Sequence, residues 1–295
     1  MTDFKIISDS SCDIPDSLLN ENDISLVPFY VSFDKENYFK ERVEISLKDF
    51  YYKLEKEKIF PKTSLPSMQD YLTLFTSYAK EGQDILCFCL SSVFSGSYQS
   101  AQNAKNILSE EYPDIKIEVV DSRQATAGQG LIVLEAVRMR DDGLSLEETL
   151  SKIEVLKNDV RIQFTVDTLE YLQMGGRIGK ASALAGSILN VKPLIVMKEG
   201  ELIPSGVIRG RKKALQKIVD MTVSDLEGRS YGDYRFVLAH VHSANEINKL
   251  EKKLNEEYGI YIDYPEFTIG TTIGTNTGSS AIGICYIPKY ETYKN

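Results

Sequence analysis

Histidine occurs twice and cysteine four times in this chain of 295 residues, and no apolar run is long enough to cross a bilayer. Each scarcity removes a class of function. Of Cys12, Cys87, Cys89 and Cys285, only Cys87 and Cys89 stand close together, on one face of an expected strand. Without a second cysteine pair, and with only His240 and His242 to add, no zinc-ligand spacing exists and no metal is expected. The thiols read instead as reduced, buried side chains of a cytoplasmic protein. The two histidines stand two apart in Leu238-Ala239-His240-Val241-His242, at the end of an expected strand. His240 then reads as a core histidine and His242 as an exposed one. A serine nucleophile needs a base, usually a histidine oriented by a carboxylate, and none is identifiable.

Other absences narrow the field further. There is no phosphate loop of the Gly-x-x-x-x-Gly-Lys type, no dinucleotide fingerprint, no acid pair, no low-complexity tract and no internal repeat. The N-terminus lacks the basic-then-apolar pattern of a secretory signal, so neither secretion nor an integral membrane segment is expected. Basic residues are outnumbered, 34 Lys+Arg against 43 Asp+Glu, for a net charge of -9. An acidic surface disfavours nucleic acid and anionic membrane as bulk partners.

What is present is the patterning of an α/β protein. Short branched-apolar runs at residues 4–7, 24–33, 85–90 and 115–120 predict strands. Between them, Ser46 and Ser67 are expected to cap amphipathic helices, another helix follows Ser95, and Ser145 with Glu148 forms a capping box. This alternation predicts a largely parallel sheet covered on both faces. The pattern pauses at Asn158-Asp159. A boundary there divides the chain into an N-terminal α/β domain, 1–159, and a C-terminal α/β domain, 160–295. In the second half, strands are expected at 163–166, 194–197, 235–239, 260–262 and 282–287. A short helix opens at Asp167-Thr168-Leu169-Glu170, and longer ones cover 211–226 and 244–258, the last capped by Ser243 with Glu246.

Four turns rich in hydroxyls and glycine fall at the junctions. They are Ser8-Asp9-Ser10-Ser11-Cys12-Asp13, Thr63-Ser64-Leu65-Pro66-Ser67, Ser91-Ser92-Val93-Phe94-Ser95-Gly96-Ser97 and Gly274-Thr275-Asn276-Thr277-Gly278-Ser279-Ser280. Any one alone is ordinary turn and cap chemistry. Four together, beyond the C-terminal ends of parallel strands, predict a cradle for one small anionic group.

In order and spacing, these turns resemble the DegV family of bacterial fatty-acid-binding proteins. The likeness includes Asp9-Ser10-Ser11-Cys12-Asp13-Ile14-Pro15 and the second and third turns. It continues through Asp167-Thr168-Leu169-Glu170-Tyr171-Leu172, Gly175-Gly176-Arg177-Ile178 and Leu189-Asn190-Val191-Lys192-Pro193-Leu194. The resemblance implies two domains with a long-chain fatty acid in a cleft between them. Its carboxylate would be held by hydroxyls and backbone amides at Thr63, Ser64, Ser95 and Gly96, with Asn276 and Thr277 beside them. It implies no cofactor and no catalytic residue; a separate fatty acid kinase would phosphorylate the presented acid for phospholipid metabolism. Arg177 and Arg209 are then assigned to docking that partner. The bland reading of Arg209-Gly210-Arg211-Lys212-Lys213 is a solvated helix face, although cations at a helix N-terminus oppose its dipole.

The sequence departs from the family at the fourth turn, where Asn276 stands in place of a histidine and Ser279-Ser280 in place of Pro-Gly. An amide donates to a carboxylate but cannot become cationic or shuttle a proton. The small-residue stretch Ala181-Ser182-Ala183-Leu184-Ala185-Gly186-Ser187 reads equally as helix packing or as a path for an acyl tail. The rival readings are a hydrolase or transferase acting on a small acyl or phosphorylated substrate, and a carrier of a different lipid-like ligand.

Overall fold

The computed structural model describes residues 4–184, 191–241 and 243–293. His242 and residues 185–190, which include part of the small-residue stretch, lie outside the described residues; Gly179–Leu184 form 3-10 turns.

The first half runs β1 (Phe4–Asp9), α1 (Asp16–Glu21), β2 (Ile24–Val27), β3 (Tyr30–Ser32), β4 (Phe39–Lys40) and α2 (Leu47–Glu55). It continues with β5 (Lys62–Ser64), α3 (Met68–Lys80), β6 (Asp84–Cys89), α4 (Ser97–Glu111), β7 (Ile117–Asp121), α5 (Thr126–Asp141) and α6 (Leu146–Leu156). β2-β1-β6-β7 form the expected parallel sheet. The period of two along β6 sends Ile85, Cys87 and Cys89 into a core shared with Tyr71 and Phe75 of α3 and Ala101 of α4. Leu86 and Phe88 point to the other face, where α5 lies. Ser46, Ser67 and Ser145 cap α2, α3 and α6, the last two within reciprocal capping boxes. All four cysteines are buried and in no disulfide.

The second half runs β8 (Arg161–Thr165), α7 (Glu170–Gly175), β9 (Val191–Lys198), β10 (Glu201–Arg209), α8 (Arg211–Asp225) and β11 (Tyr234–His240). It ends with α9 (Ala244–Tyr258), β12 (Phe267–Thr268), α10 (Thr271–Thr277) and β13 (Ile282–Pro288). Its sheet has the order β10-β9-β8-β13-β11-β12 and is antiparallel except between β11 and β12. Ile218 of α8 and Leu250 of α9 pack on one face with Leu238 and Ile284. The opposite face, with Met197, Val237 and Cys285, joins the core that contains α5. Thus α5 lies between the two sheets.

Several expected elements differ. The strand over 24–33 is two strands in different sheets, because Pro28 supplies no N–H to continue a ladder. β3 instead pairs with β4 and β5 in a small antiparallel sheet that sets Thr63 opposite Val31. Residues 260–262 form no strand; the Ile260 N–H bonds the Leu254 carbonyl at the end of α9, and β12 takes the sheet edge. Ser243 precedes α9 without capping it through its side chain, which donates to the Val241 carbonyl, while Glu246 pairs with Arg211. The fourth turn is largely helix: Gly274 to Thr277 belong to α10.

Candidate functional site

The parallel sheet ends where its chemistry begins. Asp9, at the tip of β1, is fully buried and accepts from the Leu90 N–H (2.8 Å), Ser97 Oγ (2.7 Å) and Gln129 Nε2 (2.9 Å), with Ser11 Oγ at 2.6 Å. Burial raises its pKa, and those hydrogen bonds oppose the rise. Gln129 also donates to Ser8 Oγ at 3.0 Å. The first hydroxyl-rich turn is therefore an internal brace joining β1, β6, α4 and α5. Its side chains are taken up in such internal bonds and lie outside the cavity lining described next.

Beside that brace, between the mixed sheet and the turns that follow the parallel strands, lies a cavity of about 250 Å³. Its apolar walls come from both halves, including Phe29, Leu90, Phe164, Met197 and Ile269. Thr63, Ser64, Ser95, Asn276 and Thr277 all line it, so residues from three of the four expected turns converge. A smaller pocket lined by Phe60, Lys62 and Met174 shares Thr63, Arg177 and Asn276 with it. Those three residues mark the polar rim.

The rim side chains differ in what they have left to offer. The Thr63 and Ser64 hydroxyls have no hydrogen-bond partner among the described residues. Ser95 Oγ accepts from the Ser97 N–H at 3.2 Å, which leaves its own proton to donate. Asn276 Nδ2 donates to the Thr272 carbonyl one turn back (3.1 Å), and Thr277 Oγ1 to that of Ile273 (3.1 Å). A Cβ on Gly175 would collide with Asn276 Oδ1, so only glycine lets α7 approach α10 this closely. Arg177 is exposed, held by the carbonyls of Phe94 (3.0 Å) and Gly175 (2.6 Å), with further N–H donors unused among the described residues.

Gly96 is exposed at the N-terminus of α4, against Leu65, and lies outside the lining. Arg209 is exposed at the end of β10 and also lies outside it. His240 is buried: its Nδ1 accepts from the Ser243 N–H at 3.1 Å and its Nε2 lies 3.5 Å from Glu266 Oε1. The lining contains no histidine, carboxylate or cysteine among the described residues.

Two lining hydroxyls are not legible in the sequence. Thr126 opens α5 with φ +46°, a left-handed conformation that a β-branched residue seldom adopts. Nothing in its local sequence signals it. Thr272 lies one turn before Asn276, in a segment whose glycines and hydroxyls suggest a loop although it folds as helix. Next to Thr126 lies Asp13, whose pKa burial and the neighbouring Glu41 push well above the carboxylate range; the Thr126 hydroxyl and Gly270 N–H partly offset this.

Comparison with known proteins gives a consistent set of relatives. The model of a family described as "Uncharacterised protein, DegV family" matches residues 3–289. A DegV domain-containing protein of Clostridium perfringens is 35% identical over 293 residues, covering 97% of this chain and 98% of the relative. A stearic-acid-binding protein from Eubacterium ventriosum superposes with a TM-score of 0.94 at 38% identity, over 99% of this chain and 100% of that one. A fatty-acid-binding DegV family protein from Thermus thermophilus gives a TM-score of 0.87 at 30% identity, over 97% and 99% of the two chains.

Proposed function

Because the chain belongs to the DegV family, we propose that it binds one long-chain fatty acid, with the tail in the cavity and the carboxylate at the Thr63–Ser95 rim. The observation that carries this reading is the cavity: apolar walls with the Thr63, Ser64 and Ser95 hydroxyls in the same lining, Thr63 where it meets the smaller rim pocket. Each methylene transferred from water to such walls contributes about 0.8 kcal/mol, so the tail supplies most of the affinity. The carboxylate adds specificity, since it is costly to bury without donors and finds them in Thr63, Ser64 and Ser95. The relatives from Eubacterium ventriosum and Thermus thermophilus, which bind fatty acids, support the same ligand class.

The reading is of a carrier, because a lining without an identifiable base offers Ser95 no route to nucleophilic attack. Its finer part is presentation of the bound acid to a separate kinase. Arg177 at the exposed rim and Arg209 at the end of β10 are the residues assigned to docking, and Asn276 sits where the family's histidine would stand. Division into units 1–159 and 160–295 belongs to the same reading, supported by the parallel sheet drawing its strands from one side of that point and the mixed sheet from the other.

The test is mass spectrometry of an organic extract from protein purified gently from bacteria. A stoichiometric long-chain acid is expected. Protein that yields no acyl chain, and takes up none of an added stearic acid, would sink the reading.

A further inference from the structure

Glu41 lies outside the cavity, is 1% exposed, and ties two of its walls together. On one side it meets α10. This helix has only seven residues, follows Gly270 and has no side-chain cap from its own segment. So short a helix is not stable alone, and its first N–H groups need partners. Glu41 supplies one, together with acceptors for two hydroxyls, from a distant part of the chain. Its Oε1 accepts from the Thr272 N–H (2.9 Å) and Thr271 Oγ1 (2.9 Å), and its Oε2 from Thr272 Oγ1 (2.7 Å). Gly270 leaves room for this approach: an added Cβ would lie 2.6 Å from Glu41 Oε1 and 2.5 Å from Asp13 Oδ1.

On the other side Glu41 meets the Phe29 wall. Ser10 Oγ donates to Glu41 Oε2 (2.5 Å) and accepts from the Phe29 N–H (2.9 Å), while the Glu41 N–H donates to the Phe29 carbonyl (2.9 Å). Phe29 and Thr272 both line the cavity, and one to one and a half turns after Thr272 α10 carries the rim residues Asn276 and Thr277.

We propose that Glu41 is a positioning residue for the carboxylate end of the cavity, a strut that fixes the register of α10 against the Phe29 wall; this rests on the reading that the cavity binds a fatty acid. A merely structural Glu41 would affect the tail and head of a ligand alike. A strut for the rim affects only a ligand that has a carboxylate to place there.

The experiment therefore compares stearic acid with its methyl ester, which has the same tail and no charge, by titration of wild type, Glu41→Gln and Ser10→Ala, with circular dichroism to check folding. The Glu41→Gln change keeps the volume but turns an amide N–H toward the Thr272 donors. It is expected to weaken binding of the acid about tenfold, with affinity for the ester within about twofold of wild type. Ser10→Ala, outside the cavity, is expected to move the acid-to-ester ratio in the same direction by a smaller factor, and it decides the matter alone if Glu41→Gln does not fold. An acid-to-ester ratio equal to that of wild type in the folded variants overturns the proposal, as does unfolding of both. Wild type that binds neither ligand removes the fatty-acid reading itself, and the strut with it.

Discussion

Thr63 and Ser95 reach the rim from unrelated pieces of chain, one from the edge strand of the small sheet, the other from the turn after β6. Thr63 has the simpler chemistry, since its hydroxyl is uncommitted and its methyl already occupies wall space. Thr63→Val keeps that shape and removes the donor. With hydrogen bonds to a charged acceptor worth about 1.5–3 kcal/mol, stearic acid should bind at least roughly tenfold more weakly. Calorimetric titration checks this, and unchanged affinity in a folded variant removes Thr63 from the head-group site. Asn276 behaves differently, because one of its amide hydrogens is spent on its own helix. It contributes one remaining donor and no proton exchange.

Among the elements, α5 departs most from what a surface helix looks like. Residues on all its faces are buried, from Leu131 and Ile132 to Val137 and Met139, so no polar stripe betrays it. That is why its sequence, unlike those of α2, α3 and α6, shows no helical period to read. The caps of those three helices are legible because a serine and its acidic partner stand three residues apart. The cap of α10 is not, because Glu41 and Thr272 are far apart in the chain and only folding brings them together. The rim is legible at Thr63, Ser64 and Ser95 for a related reason: each lies in a short hydroxyl-rich stretch whose residue types already announce hydrogen bonding. Inside α5, the buried Gln129 serves Ser8, Asp9 and Ser11 at once. Gln129→Leu would strand those groups in the core. A loss of about 2–4 kcal/mol in unfolding free energy is expected from urea melts. A loss under about half a kcal/mol would mean that the brace around Asp9 carries little stability.

At the scale of the whole molecule, an acidic protein has buried several of its acids. Burial raises the pKa of Asp9, and of Glu135 despite its bond to Arg235 (2.6 Å), and burial together with Glu41 raises that of Asp13. A carboxyl whose pKa is raised on folding takes up a proton as the chain folds. Its contribution favours the fold most fully below the ordinary carboxylate pKa and is lost as pH climbs through the raised value. Asp13→Asn imitates the protonated form. The variant should be at least as stable as wild type near pH 8 and should lose part of the decline between about pH 5 and pH 8. Urea melts across that range test this; an unaltered slope would mean that Asp13 is ionised throughout.

The position of α5 between the sheets would also govern how the proposed fatty acid leaves. If the halves swung apart like a hinged case, one sheet would have to peel from α5 and bare core side chains such as Leu131 and Val137 to water. Release by local parting at the rim, where α7 meets α10 and Arg177 holds the Phe94 carbonyl, disturbs far less apolar surface. Residence time should therefore follow the strength of those few rim contacts, and the bulk stability of the fold should have little influence on it.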